Sequence, residues 1–192
     1  MSPLLDNERR ALLGIARRAV VEAVEHARLL EVAPLAGALA YPSGVFVTLR
    51  RRARLRGCIG QVEAVEPLGQ AVARCAMAAA LDDPRFNPVR PHELAELEIE
   101  ISAISRLETI SLEAIEVGRH GLMVTRGYQR GLLLPQVATE FRWTSERFLE
   151  ETCVKAGMER QAWKESAARI EAFTAEVFSE VDLRVEPGMR SG

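Results

Sequence analysis

Two pairs of short apolar runs, each pair joined by only a few residues, limit this chain more than any other feature. Gly44-Val-Phe-Val-Thr-Leu-Arg50 is followed, across an arginine-rich turn, by Leu55-Arg-Gly-Cys-Ile-Gly60. Later, Gly121-Leu-Met-Val-Thr-Arg126 and Gly131-Leu-Leu-Leu-Pro-Gln-Val137 flank Gly127-Tyr-Gln-Arg130. Connections this short can only reverse the chain, because parallel neighbours need a crossover of roughly a dozen residues. Both pairs are therefore expected to be antiparallel hairpins. A further run alternates, with Leu97, Ile99, Ile101 and Ala103 on one face and Glu98, Glu100 and Ser102 on the other, as in a half-buried strand. Phe173–Leu183 reads as a final strand.

The segments between these runs carry helical spacing instead. Asn7 to Leu30 places Leu12, Ile15, Ala16, Ala19, Val20, Ala23 and Ala27 on one face, with Asp6 as N-cap. Pro67 suits the first turn of a helix whose inner face is Leu68, Val72, Cys75, Ala76 and Ala79. That helix should stop near Asp82-Asp83-Pro84. Thr144 caps a third helix, which buries Phe148, Leu149, Thr152, Cys153 and Ala156 and ends at Gly157. Hairpins interspersed with helices, without strict βαβ alternation, predict an α+β fold with an antiparallel sheet packed by helices.

With 192 residues, 48% of them hydrophobic, the chain suits one domain. We expect it over residues 5–185, with room for two lobes, followed by a polar tail at 186–192. A net charge of −2 gives no global pull toward nucleic acid or an anionic membrane. No window reaches the roughly 20 apolar residues of a membrane span. The first apolar segment is broken by Arg17 and Arg18 and has no cleavage-like site. Three separated cysteines form neither a disulfide framework nor a C-x-x-C pair, so a cytoplasmic setting is expected.

The common phosphate-loop, dinucleotide and serine-hydrolase signatures are missing. "HELAE" at His92 begins like a zinc-protease motif, but Glu96 stands where the second histidine is needed. Histidines occur only at 26, 92 and 120, so neither a metal nor a cofactor is expected. The run Arg50, Arg51, Arg52, Arg54 and Arg56 could hold a phosphate or carboxylate, or simply be a solvated hairpin tip. Only Phe46 lies nearby in that hairpin, too little for a single-strand stacking platform.

Cys58 stands apart from Cys75 and Cys153, which fall on apolar helix faces. Strand alternation puts Arg54, Arg56, Cys58 and Gly60 on one face and Leu55, Gly57 and Ile59 on the other. Arg56 would then sit roughly 7 Å along the strand from the thiol, close enough to favour a thiolate. Gly57 and Gly60 remove side chains beside it, so a ligand or another backbone can approach. The alternative is a glycine-permitted bulge with cysteine as a small filler.

"LRGCIG" is similar to the signature of the AMMECR domain family, named for the AMME chromosomal region. The resemblance continues through Asp83–Phe86, Leu97–Ser102, Gly118–Leu122, Gly131–Glu140, Trp143, Phe148–Met158, Trp163 and Phe173–Glu180, in family order. Met158 stands where the family often has leucine, and the arginine turn carries more charge than usual. The resemblance implies an α+β domain with a smaller lobe and a cleft near the signature. It implies no established activity. In prokaryotes such chains resemble the A component of AmmeMemoRadiSam systems, with Memo-like and radical-SAM proteins as partners. That association points to RNA, a nucleotide or another small molecule as substrate.

Two functional readings follow. In the first, Cys58 is a nucleophile or redox thiol, and His120, in "GRHG", is its base. Arg56 and Arg85 hold an anionic group, Gln136 presents its amide to the ligand, and Gly57 and Gly60 give it room. For Arg85, a salt bridge to Asp82 or Asp83 is the alternative. In the second, the chain is a non-catalytic binding or adaptor module. Neither reading involves a membrane or DNA.

Overall fold

The structure, a computed structural model, describes residues 3–183. The tail expected at 186–192 lies outside the described residues. The chain divides into two compact units. The first takes the described residues up to Ile104 and those from Glu176 onward; the second is Ser105–Ala175.

The first unit begins with α1 (Asp6–His26). Leu5, not Asp6, holds the cap position; Asp6 lies in the first turn, where a carboxylate complements the helix dipole. The Glu8 carboxylate accepts from the Leu5 N–H at 2.9 Å. The helix stops short of Leu30 because Ala27 turns left-handed, with φ 51°. Strands β1 (Gly44–Arg51) and β2 (Arg54–Gln61) form the expected antiparallel hairpin. Helix α2 (Leu68–Leu81) and a 3-10 turn (Pro91–Glu96) lead to β3 (Leu97–Ile104), antiparallel to β1 on its other side.

Alternation decides which face of this sheet is covered. Val45, Val47 and Leu49 of β1 and Leu97, Ile99, Ile101 and Ala103 of β3 are buried in one core with the inner faces of α1 and α2. Full burial of a leucine or isoleucine there contributes roughly 2 kcal/mol. The other face carries Thr48, opposite Cys58 of β2 and Glu100 of β3.

The hairpin is not regular. Leu49 pairs with Gly57, but Arg50 pairs with Leu55, so Arg56 is an extra residue, a β-bulge. The expected alternation fails there. Leu55 shares the face of Arg50 and Cys58, not that of Gly57 and Ile59.

In the second unit, β5 (His120–Arg126) and β6 (Gln129–Leu133) form the second expected hairpin. The short β4 (Glu108–Thr109) and β5 both pair antiparallel with β7 (Arg169–Ser179), which runs on into the first unit at Glu176. Apolar character suggested that β6 would continue to Val137. It ends at Leu133, and Pro135 opens helix α3 (Pro135–Glu140), since proline has no N–H for a ladder but fits a first helical turn. Helix α4 (Ser145–Lys155) is capped as expected: the Arg147 N–H donates to Thr144 Oγ1 at 3.2 Å. Leu122, Val124, Phe148, Leu149 and Cys153 are buried in this unit's core.

Candidate thiol site

Of the three cysteines, Cys58 alone is not buried. Burial pushes the Cys75 thiol up to about 11 and raises that of Cys153, so both stay protonated near neutrality. Cys58 lies on β2, an edge strand whose outward backbone groups no neighbouring strand satisfies. Side chains take that place. The Cys58 N–H donates to Asp83 Oδ2 at 2.8 Å, and the Cys58 carbonyl accepts from an Arg85 Nη at 3.3 Å. On the other side, the Thr48 hydroxyl donates to Cys58 Sγ at 3.3 Å.

Asp83 organises this arrangement from within the fold. Its side chain is 2% exposed, and it also accepts from the Arg85 N–H at 3.1 Å and the Arg85 guanidinium at 3.0 and 2.7 Å. The Arg85 fork, with help from the Cys58 and Arg85 amides, holds its carboxyl well below the usual carboxylate range, against the opposing effect of burial. The Arg85 guanidinium stacks 5.5 Å from the centre of the Phe86 ring. Of the two alternatives for Arg85, its ion pair is therefore with Asp83.

Arg56 does not accompany the thiol, contrary to expectation. The bulge sends it to the side of Arg51, where its Nε and Nη2 donate to the two Glu93 oxygens at 2.9 Å each. Its remaining donors reach the Asn87 carbonyl at 2.9 Å and the Pro88 carbonyl at 3.3 Å. Glu93 is buried, also accepts from Arg51 at 3.1 Å, and is held down to about 2, first by Arg56. Glu96 accepts from Arg51 Nε at 3.0 Å and Arg52 Nε at 2.9 Å. The glutamates of "HELAE" thus clamp arginines. Among the described residues no cluster of histidine, cysteine and carboxylate large enough to hold a metal occurs.

The space beside the two glycines is occupied by protein. A Cβ on Gly57 would lie 2.0 Å from the Ala79 carbonyl oxygen, so its absence lets α2 lie against β2. A Cβ on Gly60 would lie 2.2 Å from the Phe46 ring. His120 and Gln136 belong to the second unit. His120 starts β5, and its Nδ1 accepts from the Glu116 N–H at 3.1 Å. Gln136 sits in the first turn of α3. The first unit therefore holds Cys58, Arg56, Arg85, Gly57 and Gly60, with only Arg85 directly bonded to Cys58. Sequence reasoning missed Thr48, because without the bulge a two-residue turn would place Cys58 opposite Val47.

Chemically, this is a half-buried thiol on a fixed strand, with one hydroxyl donor able to stabilise negative charge on sulfur. No described helix is long and apolar enough to cross a membrane. The AMMECR1 family matches residues 13–178. A protein of Methanothermobacter thermautotrophicus is 42% identical, with 93% of this chain and 97% of that one covered. One from Aeropyrum pernix is 41% identical over 93% of this chain and 81% of its own. The crystal structure of an uncharacterised Pyrococcus horikoshii protein superposes with a TM-score of 0.81, at 39% identity, over 91% of this chain and 92% of that one.

Proposed function

The chain belongs to the AMMECR1 family, and on that premise we propose that Cys58 is the nucleophile of a site for a small substrate. One observation carries this reading: the only cysteine that is not buried has its peptide pinned by Asp83 and Arg85 and its sulfur bonded to Thr48. The Asp83 and Arg85 contacts complete the backbone of an edge strand and fix the position of the thiol, while the Thr48 bond is made to the sulfur itself. In the reaction the thiol loses its proton to water. The sulfur lone pair then bonds to an electrophilic carbon of the substrate and displaces its leaving group. Arg85, with its side chain 55% exposed, meets an anionic part of the substrate; Arg56 is fully engaged elsewhere. His120 and Gln136 enter no step of this reading. The family resemblance supports a nucleotide or RNA base as substrate and a pathway shared with Memo-like and radical-SAM proteins.

The pairing of both Arg56 and Arg85 with buried carboxylates favours a second reading, a binding module that uses the same face without chemistry. Alkylation of the native protein by iodoacetamide at neutral pH separates the two. A nucleophile should label at Cys58 roughly tenfold faster than glutathione, with Cys75 and Cys153 protected as internal controls. Labelling no faster than glutathione, together with full complementation by Cys58→Ser, leaves only the binding module.

A further inference from the structure

The tip of the β1–β2 hairpin carries more positive charge than its partners neutralise. Arg51 and Arg56 share Glu93, Arg51 and Arg52 share Glu96, and Arg50 meets Glu100 at 3.7 Å. On the α2 side Arg51, Arg52, Arg54 and Arg56 thus face only Glu93 and Glu96, with Arg54 exposed and without an ion pair among the described residues, while Arg50 lies on the other face opposite Glu98. The excess is two positive charges. An open depression of about 390 Å³ is lined by Arg51, Arg52 and Arg54.

Two features distinguish this depression from a solvated charge run. Arg51 is immobilised, with Nε and Nη2 on Glu96 and Nη1 on Glu93, and the same Glu96 holds Arg52 through its Nε alone. The donors of Arg51 are therefore all taken, whereas Arg52, tethered at Nε with its side chain 78% exposed, keeps its Nη groups for an anion and loses less freedom on binding than an untethered arginine. The second feature is the turn itself. Arg52 and Ala53 both have positive φ, 52° and 61°, the mirror-image turn that normally calls for Asn-Gly. Two non-glycine residues kept left-handed are strained, and strain of this kind concentrates at ligand sites.

We propose that this tip is a phosphate site, taking the dianionic phosphate group of a small molecule. A dianion matches the excess charge, and the free Nη groups of Arg52 with the Arg54 fork suit phosphate oxygens in bidentate fashion. The site is separate from the thiol: Arg54 pairs with Arg51 on the α2 side, while Cys58 pairs with Thr48 on the opposite face. A nucleic-acid strand fits less well, since it would need several tracked phosphates and stacking rings, and the net charge of −2 opposes a polyanion.

Isothermal titration of the whole chain at low ionic strength with inorganic phosphate, glycerol phosphate and a short single-stranded RNA tests this. Phosphate and its monoester should bind saturably at one site, with affinity falling as salt rises. Arg54→Ala and Arg52→Ala should each weaken binding roughly tenfold while unfolding at the wild-type urea midpoint, and Cys58→Ser should bind as the wild type does. Absence of saturable binding, equal affinity in Arg54→Ala, or binding of the RNA alone would overturn the proposal.

Discussion

The β1–β2 and β5–β6 hairpins solve the same packing problem, and only one of them stops there. Each ends in an edge strand that lies against a helix where a glycine leaves room. Gly57 admits the Ala79 carbonyl of α2, and Gly131 admits Thr152 of α4 and Ala156, which caps that helix. The second hairpin keeps a regular register and turns on Gly127, with φ 58°. The first adds a bulge at Arg56, a side-chain cap on its edge at Cys58, and a left-handed Arg52-Ala53 tip. Because the second hairpin packs its helix without any of these, they are not requirements of packing. All three lie on the hairpin that carries the thiol and the arginine depression.

If glycine is the common packing device, alanine should damage both hairpins, and the first more. A Cβ at Gly57 would stand 2.0 Å from the Ala79 carbonyl oxygen, whereas at Gly131 the nearest atoms are 2.6 Å away. Backbone cannot yield as a side chain can, so we expect Gly57→Ala to cost about 3 kcal/mol or more, and Gly131→Ala somewhat less. Urea unfolding of the two variants measures this. Equal, small effects would mean that the hairpins and helices shift freely, and the shared packing rule would fail.

Acid should separate the hairpins next. Glu93, which ties Arg51 and Arg56 to the 3-10 turn, is held at about 2 in the fold, against 4.5 ordinarily. A depressed carboxylate stabilises fully above its ordinary value and loses that contribution as pH falls from about 4.5 through about 2, a total on the order of 3 kcal/mol. The tip of the second hairpin relies on Arg126 with the half-exposed Glu165 and on Gln129 donating to the Gly157 carbonyl at 2.8 Å. Hydrogen-exchange protection, taken relative to the intrinsic amide rate at each pH, should therefore fall between pH 4.5 and 2.5 at β1–β2 amides before β5–β6 amides. Glu93→Gln should remove that difference; loss of protection at the same pH in both hairpins would break the contrast.

What the sequence made legible follows the same division. The second hairpin, the Thr144 cap and the buried faces of α2 and α4 follow from periodicity and local cap chemistry, which act over a few residues. The Arg56 bulge does not, because Gly57 and Gly60 are equally compatible with a regular strand, and one inserted residue exchanges every face beyond it. The bonds of Asp83 to Cys58 and of Glu93 to Arg56 are hidden for another reason. The bonded residues lie 25 and 37 positions apart, and only tertiary structure brings a carboxylate into place. The thiol was visible as a motif, but its actual neighbours, Thr48 and Asp83, were not.

The smallest effect concerns the tip. Ala53 keeps φ at 61°, where its Cβ crowds the backbone, a cost of roughly 1 kcal/mol that glycine does not bear. Ala53→Gly gives back part of that in unfolded-chain entropy, so a net gain of about 0.5 kcal/mol is expected. In the second hairpin only the first turn position is left-handed, and there Gly127, the counterpart of Arg52, already has this freedom; Gly127→Ala should lose a similar amount. Urea midpoints of the two variants, moving in opposite directions, would show that the first hairpin retains strain its counterpart avoids. If Ala53→Gly instead destabilises, the left-handed alanine is held by contacts that reward it, and the tip is no more strained than the glycine turn.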